Sequence, residues 1–468
     1  MALDPGSFRD PDSRVYTAGN EVYRLLSERG RDDWLALSRS AVFADATAAG
    51  TLVATEAVER ETVPGLDGTP AAAVLRHERI PFVSYPYEWT FGMLRDAALL
   101  QLDLLECALA EGLILKDSSP YNVQWRGAAP VFVDVGSFER LRAGEPWVGY
   151  RQFCMLFLYP LMLQAYRGVG FQPWLRGSLE GIAPADAARL LTRRDRLRRG
   201  VLTNVVLHAR LERRYSGIEG RAVKRELREA GFRAELVKAN VRKMRRLVER
   251  LRWQPGESAW TGYSEDDGYA DADRETKAAF VREAAGRRRR RIAWDLGAND
   301  GDYARIAAAA GCEHVLAMDA DHPTVELLYR ALRDAGERQI LPLVIDVCDP
   351  SPARGWRGRE RRALLDRGAP ELTLCLALVH HLAITRNVPL PEIVSWLRGL
   401  GGEVVVEFPL REDPMVGRLL ATKNEEAHGD YDLERFEGLL GDAFDVRRTE
   451  RLPSGTRVLF EAAPRSAA

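Results

Sequence analysis

Three aspartates close three short apolar runs: Arg291-Ile-Ala-Trp-Asp295, His314-Val-Leu-Ala-Met-Asp319 and Ile340-Leu-Pro-Leu-Val-Ile-Asp346. Runs of this length bounded by turn residues read as buried strands. Successive strands ending in acids set those acids along the carboxyl edge of a sheet, where open α/β sheets bind ligands. A carboxylate there accepts from both hydroxyls of a ribose, so the expected ligand is a nucleoside. Between the first acid and the next helix lies Asp295-Leu-Gly297-Ala-Asn299-Asp-Gly301. Its glycines let backbone approach a ligand that a Cβ would exclude. The spacing is not that of the dinucleotide fingerprint. Any one acid alone reads as a helix cap or a solvated loop residue. Three in register, the second 24 residues beyond the first, point to one site.

Two further runs aim at the same edge. Leu372–Leu378 leads into Val379-His380-His381-Leu382, and Glu403-Val-Val-Val-Glu407 ends in an acid. A histidine titrates near neutral pH and can take a proton from an acceptor hydroxyl or amine. Adjacent histidines with no nearby cysteine or third histidine make a poor tetrahedral set, so no metal is expected here.

The Asp-Leu-Gly-x-x-x-Gly stretch resembles motif I of the class I S-adenosylmethionine-dependent methyltransferases, and the following landmarks fall in that family's order over about 210 residues. The resemblance implies S-adenosylmethionine as cofactor. Asp295, Gly297, Asn299 and Gly301 would hold its methionine end, Asp319 with Ala320 the ribose, and Asp346 with Val347 the adenine, with Leu378 completing the set. Tyr263 or Tyr269, on the segment before motif I, would cap the sulfonium with an aromatic face. His380, His381 and Glu407 would face the acceptor, the transfer resting mainly on in-line placement of the two partners. Phe444–Leu452 and Thr456–Glu461, around the turn Pro453-Ser-Gly455, would add the terminal antiparallel hairpin. Resembling methyltransferases, nodulation-type proteins among them, imply a small molecule, natural product or glycan as acceptor.

A second constellation lies in the first half: Lys116-Asp117-Ser-Ser-Pro-Tyr-Asn122, then Pro130-Val-Phe-Val-Asp134-Val-Gly136. Asp, Asn five residues on, and Asp-x-Gly after a hairpin resembles the catalytic and metal-binding segments of protein kinases and aminoglycoside phosphotransferases. That resemblance implies ATP and magnesium, with Asp117 as base and Asn122 and Asp134 holding the metal. The departures are a missing glycine-rich loop and the absence of any lysine before Lys116, leaving Arg76 or Arg79 as substitutes. Three readings stay open: a degenerate kinase-like scaffold, a working phosphotransferase, and coincidental turn chemistry.

The elements that must position these groups need more than one core, since 468 residues favour two domains. The expected architecture is α/β: an N-terminal α+β kinase-like domain over 1–252 and a Rossmann-like methyltransferase sheet over 253–468. Helices are expected over Asp32–Ala49 and Phe91–Glu111, a hairpin around Ala18-Gly-Asn20, and β-prone pieces at Leu52–Val58, Ala72–Arg79 and Pro81–Tyr85. The basic segment Arg221–Arg252 interleaves acids and reads as a salt-bridged helix. The basic run Arg287–Arg291 reads as a helix C-terminus. Net charge is -1, which draws the chain neither to nucleic acid nor to anionic lipid. Only six lysines occur among 67 basic residues, and the five cysteines form no C-x-x-C pair. No apolar signal core opens the chain, and Phe153–Leu163 is too short to span a bilayer, so the expected compartment is the cytoplasm. Two rival functions remain: a bifunctional kinase-methyltransferase, and a non-catalytic binding module with a vestigial pocket.

Overall fold

The computed structural model describes residues 2–66, 69–142, 147–215, 234–256, 271–421, 423 and 428–465. The chain divides into two units. The first comprises Met1–Trp125, Pro130–Gln254 and Ala353–Arg362; the second comprises Arg126–Ala129, Pro255–Pro352 and Ala363–Ala468.

The first unit opens with an antiparallel sheet of β1 (Ala2–Leu3), β2 (Ser13–Ala18), β3 (Glu21–Leu26), β4 (Thr55–Val58) and β5 (Ala73–His77), in the order β1-β2-β3-β5-β4. The expected hairpin joins β2 to β3 through Gly19, at φ 59°. The helical stretch read as continuous from Asp32 is two helices, Glu28–Ser38 and Ala41–Ala48. Ser40 divides them by accepting from the Phe43 N–H, while Glu111 takes the N–H groups of Ala41 and Val42, both at 2.9 Å. The β-prone piece at 81–85 forms no strand, because Glu88 folds back onto the Tyr85 N–H at 2.9 Å in a capped turn.

Helix Phe91–Ala110 starts at Thr90, whose hydroxyl accepts from Met93 N–H at 3.2 Å, and it buries Leu94, Ala98, Leu102, Leu105 and Leu109. Its acids Glu106 and Asp103 pair with Arg242 and Arg245 of helix Ala234–Arg250, the described part of the basic segment. The apolar stretch 153–163 is a fully buried part of a helical run broken by a π-turn at Cys154–Leu158. Strands β6 (Leu113–Leu115), β7 (Val123–Arg126), β8 (Ala129–Phe132) and β9 (Phe138–Arg140) frame the Asp117–Asp134 region.

The second unit holds seven strands in the order β12-β11-β10-β13-β14-β16-β15. They are β10 (Arg290–Leu296), β11 (Cys312–Asp319), β12 (Ile340–Val344), β13 (Leu372–Cys375), β14 (Glu403–Pro409), β15 (Phe444–Arg451) and β16 (Arg457–Pro464). The first five are mutually parallel, and β16 joins β14 and β15 antiparallel, as the hairpin expectation required. The strand order reverses between β10 and β13, where the chain leaves one side of the sheet and resumes on the other. Such a switch point opens a crevice at the carboxyl ends of the strands.

The basic run before β10 is not simply a helix end. Arg290 and Arg291 already belong to the strand, and Arg290 is buried, donating to Ala285 O at 2.6 Å and pairing with Glu403. Among the described residues no helix is long and apolar enough to cross a membrane, and all five cysteines are free.

Candidate functional site

At the β10/β13 switch point the second unit encloses a cavity of about 620 Å³. The turn after β10 is tied down by Gly297 and Ala298, whose N–H groups both donate to Met318 O at 2.8 and 2.9 Å. Gly297 adopts φ 72° and Asn299 φ 47°, left-handed values that glycine and asparagine tolerate best. Eight of the nine described residues expected to hold the cofactor line the cavity: Asp295, Gly297, Asn299, Asp319, Ala320, Asp346, Val347 and Leu378. Gly301 does not; at φ 82° it packs beneath the turn, where a Cβ would lie 2.7 Å from Leu328 Cδ1. Tyr263 and Tyr269 fall outside the described residues.

The three aspartates meet different surroundings. Asp295 is buried, its Oδ2 has no hydrogen-bond partner among the described residues, and burial pushes its carboxyl up to about 7. The Lys277 charge is the largest influence in the opposite direction. Asp319 accepts from Asn299 N–H at 3.1 Å and Asp321 N–H at 2.9 Å, one bond to each oxygen, leaving lone pairs toward the cavity. Burial raises its carboxyl too, against the pull of those N–H groups. Asp346, two residues past the end of β12, accepts from Cys348 N–H at 2.9 Å and pairs with Arg386 at 2.6 Å.

Of the three residues expected to face the acceptor, His381 alone lines the cavity. Burial first, and then the Arg457 charge, bring its ring down to about 4, so at neutral pH it is an uncharged and weak base. His380 is fully buried, neither ring nitrogen has a partner among the described residues, and its pKa lies well below the usual histidine range for the same first reason. Glu407 is also fully buried, 2.7 Å from Lys277 Nζ and 3.2 Å from Arg457 Nη1. The two histidines part because they stand on a helical turn and not on the strand: β13 ends at Cys375, and His380 and His381 fall in the helical stretch that follows, where neighbouring side chains point to different sides. Two of the four non-glycine residues at positive φ among the described residues, Asn299 and Ala377, lie on the cavity wall.

Sequence reasoning gave no site role to Lys277, Tyr303, Ala377 and Arg386, which also line the cavity. A signal existed for Lys277: a lysine is rare in this chain, and this one stands among apolar residues of helix Asp271–Gly286.

In the first unit, Asp117, Asn122 and Asp134 do come together. The Asn122 amide bonds Asp117 and donates to Ser137 Oγ at 3.2 Å, and the Ser137 hydroxyl in turn bonds Asp134. Burial, then the Asp134 charge, raise the Asp117 carboxyl. The basic partner is neither Arg76, which is paired with Glu56 at 2.8 Å, nor Arg79. It is Arg24 of β3, with Nη1 2.8 Å from Asp134 Oδ1 and 2.7 Å from Ser13 Oγ. Among the described residues no group of three or more histidine, cysteine or acidic side chains is arranged to hold a metal ion.

Fold and cavity together define an α/β protein of two units, with a cavity at the switch point of a mostly parallel sheet. No family model matches the chain. It is 32% identical over 461 residues to nodulation protein NoeA of Rhizobium meliloti strain 1021, a match covering 97% of this chain and 94% of that protein. The chain belongs to the NoeA family. Similar solved structures include the N-methyltransferase NodS from Bradyrhizobium japonicum WM9 with S-adenosylhomocysteine, at 10% identity, 45% of this chain, all of that one, and TM-score 0.32. Magnesium protoporphyrin IX methyltransferase (ChlM) from Synechocystis PCC 6803 matches at 15% identity, 45% of this chain, 90% of that one, and TM-score 0.31. The bifunctional kinase-methyltransferase WbdD matches at 13% identity, 47% of this chain, 45% of that one, and TM-score 0.31.

Proposed function

We propose that the second unit is an S-adenosylmethionine-dependent methyltransferase. The observation that carries this reading is the convergence of Asp295, Asp319 and Asp346, from three neighbouring parallel strands, on one cavity floored by the Gly297 turn. The residues fit the cofactor. Asp295 has an unmatched buried oxygen for an ammonium, Asp319 has free lone pairs for a ribose diol, and Ile345, Val347 and Leu382 offer apolar walls for a flat base. When bound, the cofactor supplies an electrophilic methyl group. The chain's own part is to orient it, exclude water and place the acceptor beside Leu378 and His381, so proximity does most of the work. With its ring near pH 4, His381 is suited to accept a hydrogen bond rather than to strip a hydroxyl of its proton. The acceptor class we favour is a small molecule, natural product or glycan, in keeping with the balanced charge of the chain and a relative that is a nodulation protein. The cytoplasm is the compartment we assign.

For the first unit we propose a scaffold or recognition role. The gathering of Asp117, Asn122 and Asp134 favours ATP-dependent phosphotransfer as a second reading, but Asp134 already neutralises Arg24 and so does not fit a magnesium ligand.

Titration calorimetry of the full chain with S-adenosylhomocysteine tests the main reading. Micromolar binding is expected, falling at least tenfold in Asp319→Ala. No binding by the native chain would leave the cavity vestigial and the protein a non-catalytic binding module.

A further inference from the structure

Glu407 was expected at the acceptor, yet it lies behind the cavity wall and holds two parts of that wall in place. Its Oε2 accepts from Ala377 N–H at 2.9 Å and lies 2.7 Å from Lys277 Nζ, while Oε1 lies 3.2 Å from Arg457 Nη1. Arg457 is paired in turn with Asp413 at 2.6 Å, so the four buried charges sum to zero. Ala377 is the residue at φ 48° beyond β13, and Lys277 is on helix Asp271–Gly286, with its Nζ 4.5 Å from the Tyr303 ring centre. Ala377, Lys277 and Tyr303 all line the cavity.

Lys277 presents one ammonium to a cavity wall that also carries the Asp295 carboxyl. Glu407 holds it by direct contact, and Asp295 lines the same cavity, its carboxyl drawn down by the Lys277 charge. Asp319, Asp300 and the Cys375 thiol also act on Asp295, and Arg274 and Arg386 line the same cavity. Were Glu407 uncharged, the ammonium would be drawn to Asp295 and would fill the unmatched Oδ2. We propose that Glu407 is a positioning residue: it keeps the Lys277 ammonium off Asp295 and so leaves the Asp295 carboxylate open to the cationic end of a ligand. This rests on the adenosyl-cofactor reading of the cavity.

The test is a mutant cycle on the full chain with two readouts. In calorimetry with S-adenosylhomocysteine, Glu407→Gln weakens binding at least tenfold, and the double variant Lys277→Met/Glu407→Gln binds more tightly than Glu407→Gln alone. A role in packing only predicts a double variant as weak as the single one or weaker, and that result would overturn the proposal. The second readout needs no ligand: carboxyl titration by ¹³C NMR on aspartate-labelled protein, with Asp295→Asn to assign the signal. In Glu407→Gln the Asp295 carboxyl titrates at lower pH than in the native chain, and in the double variant it returns upward. Should Glu407→Gln not fold, Lys277→Met alone decides, since Arg457 still compensates Glu407 there. The Asp295 titration then moves up, and an unmoved titration refutes the idea. If the native chain fails to bind S-adenosylhomocysteine, the cofactor reading falls while the NMR arm still judges Glu407.

Discussion

Asp295 is a buried carboxyl whose folded pKa, about 7, stands some three units above the unfolded value. A raised carboxyl pKa gives relative stability below the unfolded value, and that stability is lost as pH climbs through the folded one. The loss is on the order of 4 kcal/mol at about 1.4 kcal/mol per unit. Asp295→Asn removes the titration, so its unfolding midpoint should exceed that of the native chain at pH 8 and match it at pH 4. Equal midpoints at both values would show that ligand-free Asp295 carries no such penalty. Its placement was legible from residue types, because an acid that ends an apolar run has few places to go but the sheet edge. The separate fates of His380 and His381 were not. Adjacent histidines look alike in sequence, and which of two neighbours on a helical turn faces the core depends on where that turn starts, which the residues around it do not mark.

For single elements, the two glycines of the first turn divide their labour. Gly297 lies on the cavity, where a Cβ would stand 3.5 Å from Leu378 Cδ1, an ordinary contact. Gly301 starts helix Asp302–Ala309 at φ 82° and admits no Cβ without moving Leu328. Gly301→Ala should therefore cost about 2 kcal/mol of stability, from left-handed strain and the displaced leucine, with little direct effect on the ligand. Denaturant unfolding compared with S-adenosylhomocysteine calorimetry separates the two. A variant of native stability that has lost its ligand would put Gly301 on the cavity after all. The motif announced a turn by its spacing but not which glycine meets the ligand. In the same way, the parallel strands β10 to β14 were legible because each is built on a short, nearly continuous apolar run, whereas β15, mostly charged and exposed, was marked only by the turn that follows it. The break at Ser40 was harder to see, as it depends on Glu111, some 70 residues away, capping the second helix.

For the whole molecule, contacts between distant segments were the least legible feature, since residues hundreds of positions apart leave no local period. The sequence was read with a single boundary at residue 252, whereas Arg126–Ala129 groups with the second unit and Ala353–Arg362 with the first. There Arg361 lies 4.1 Å over the Tyr121 ring, Glu360 pairs with Arg9 at 2.7 Å, and Arg362 pairs with Asp4 at 2.8 Å and donates its N–H to the Tyr85 hydroxyl at 2.8 Å. Exposed ion pairs contribute at most about 1 kcal/mol each, and a partly desolvated cation–π contact about 1 to 2. Together they amount to about 2 to 3 kcal/mol, or roughly 5 to 10 °C for a unit of this size. A fragment of residues 1–254 should thus melt lower than the same fragment carrying 353–362 on a flexible linker, by about that margin. Arg361→Ala in the linked form should give back part of the gain, because the stacked guanidinium over Tyr121 is the best buried of these contacts. Identical melting of the fragment with and without the segment would mean that 353–362 rests on the first unit without holding it together.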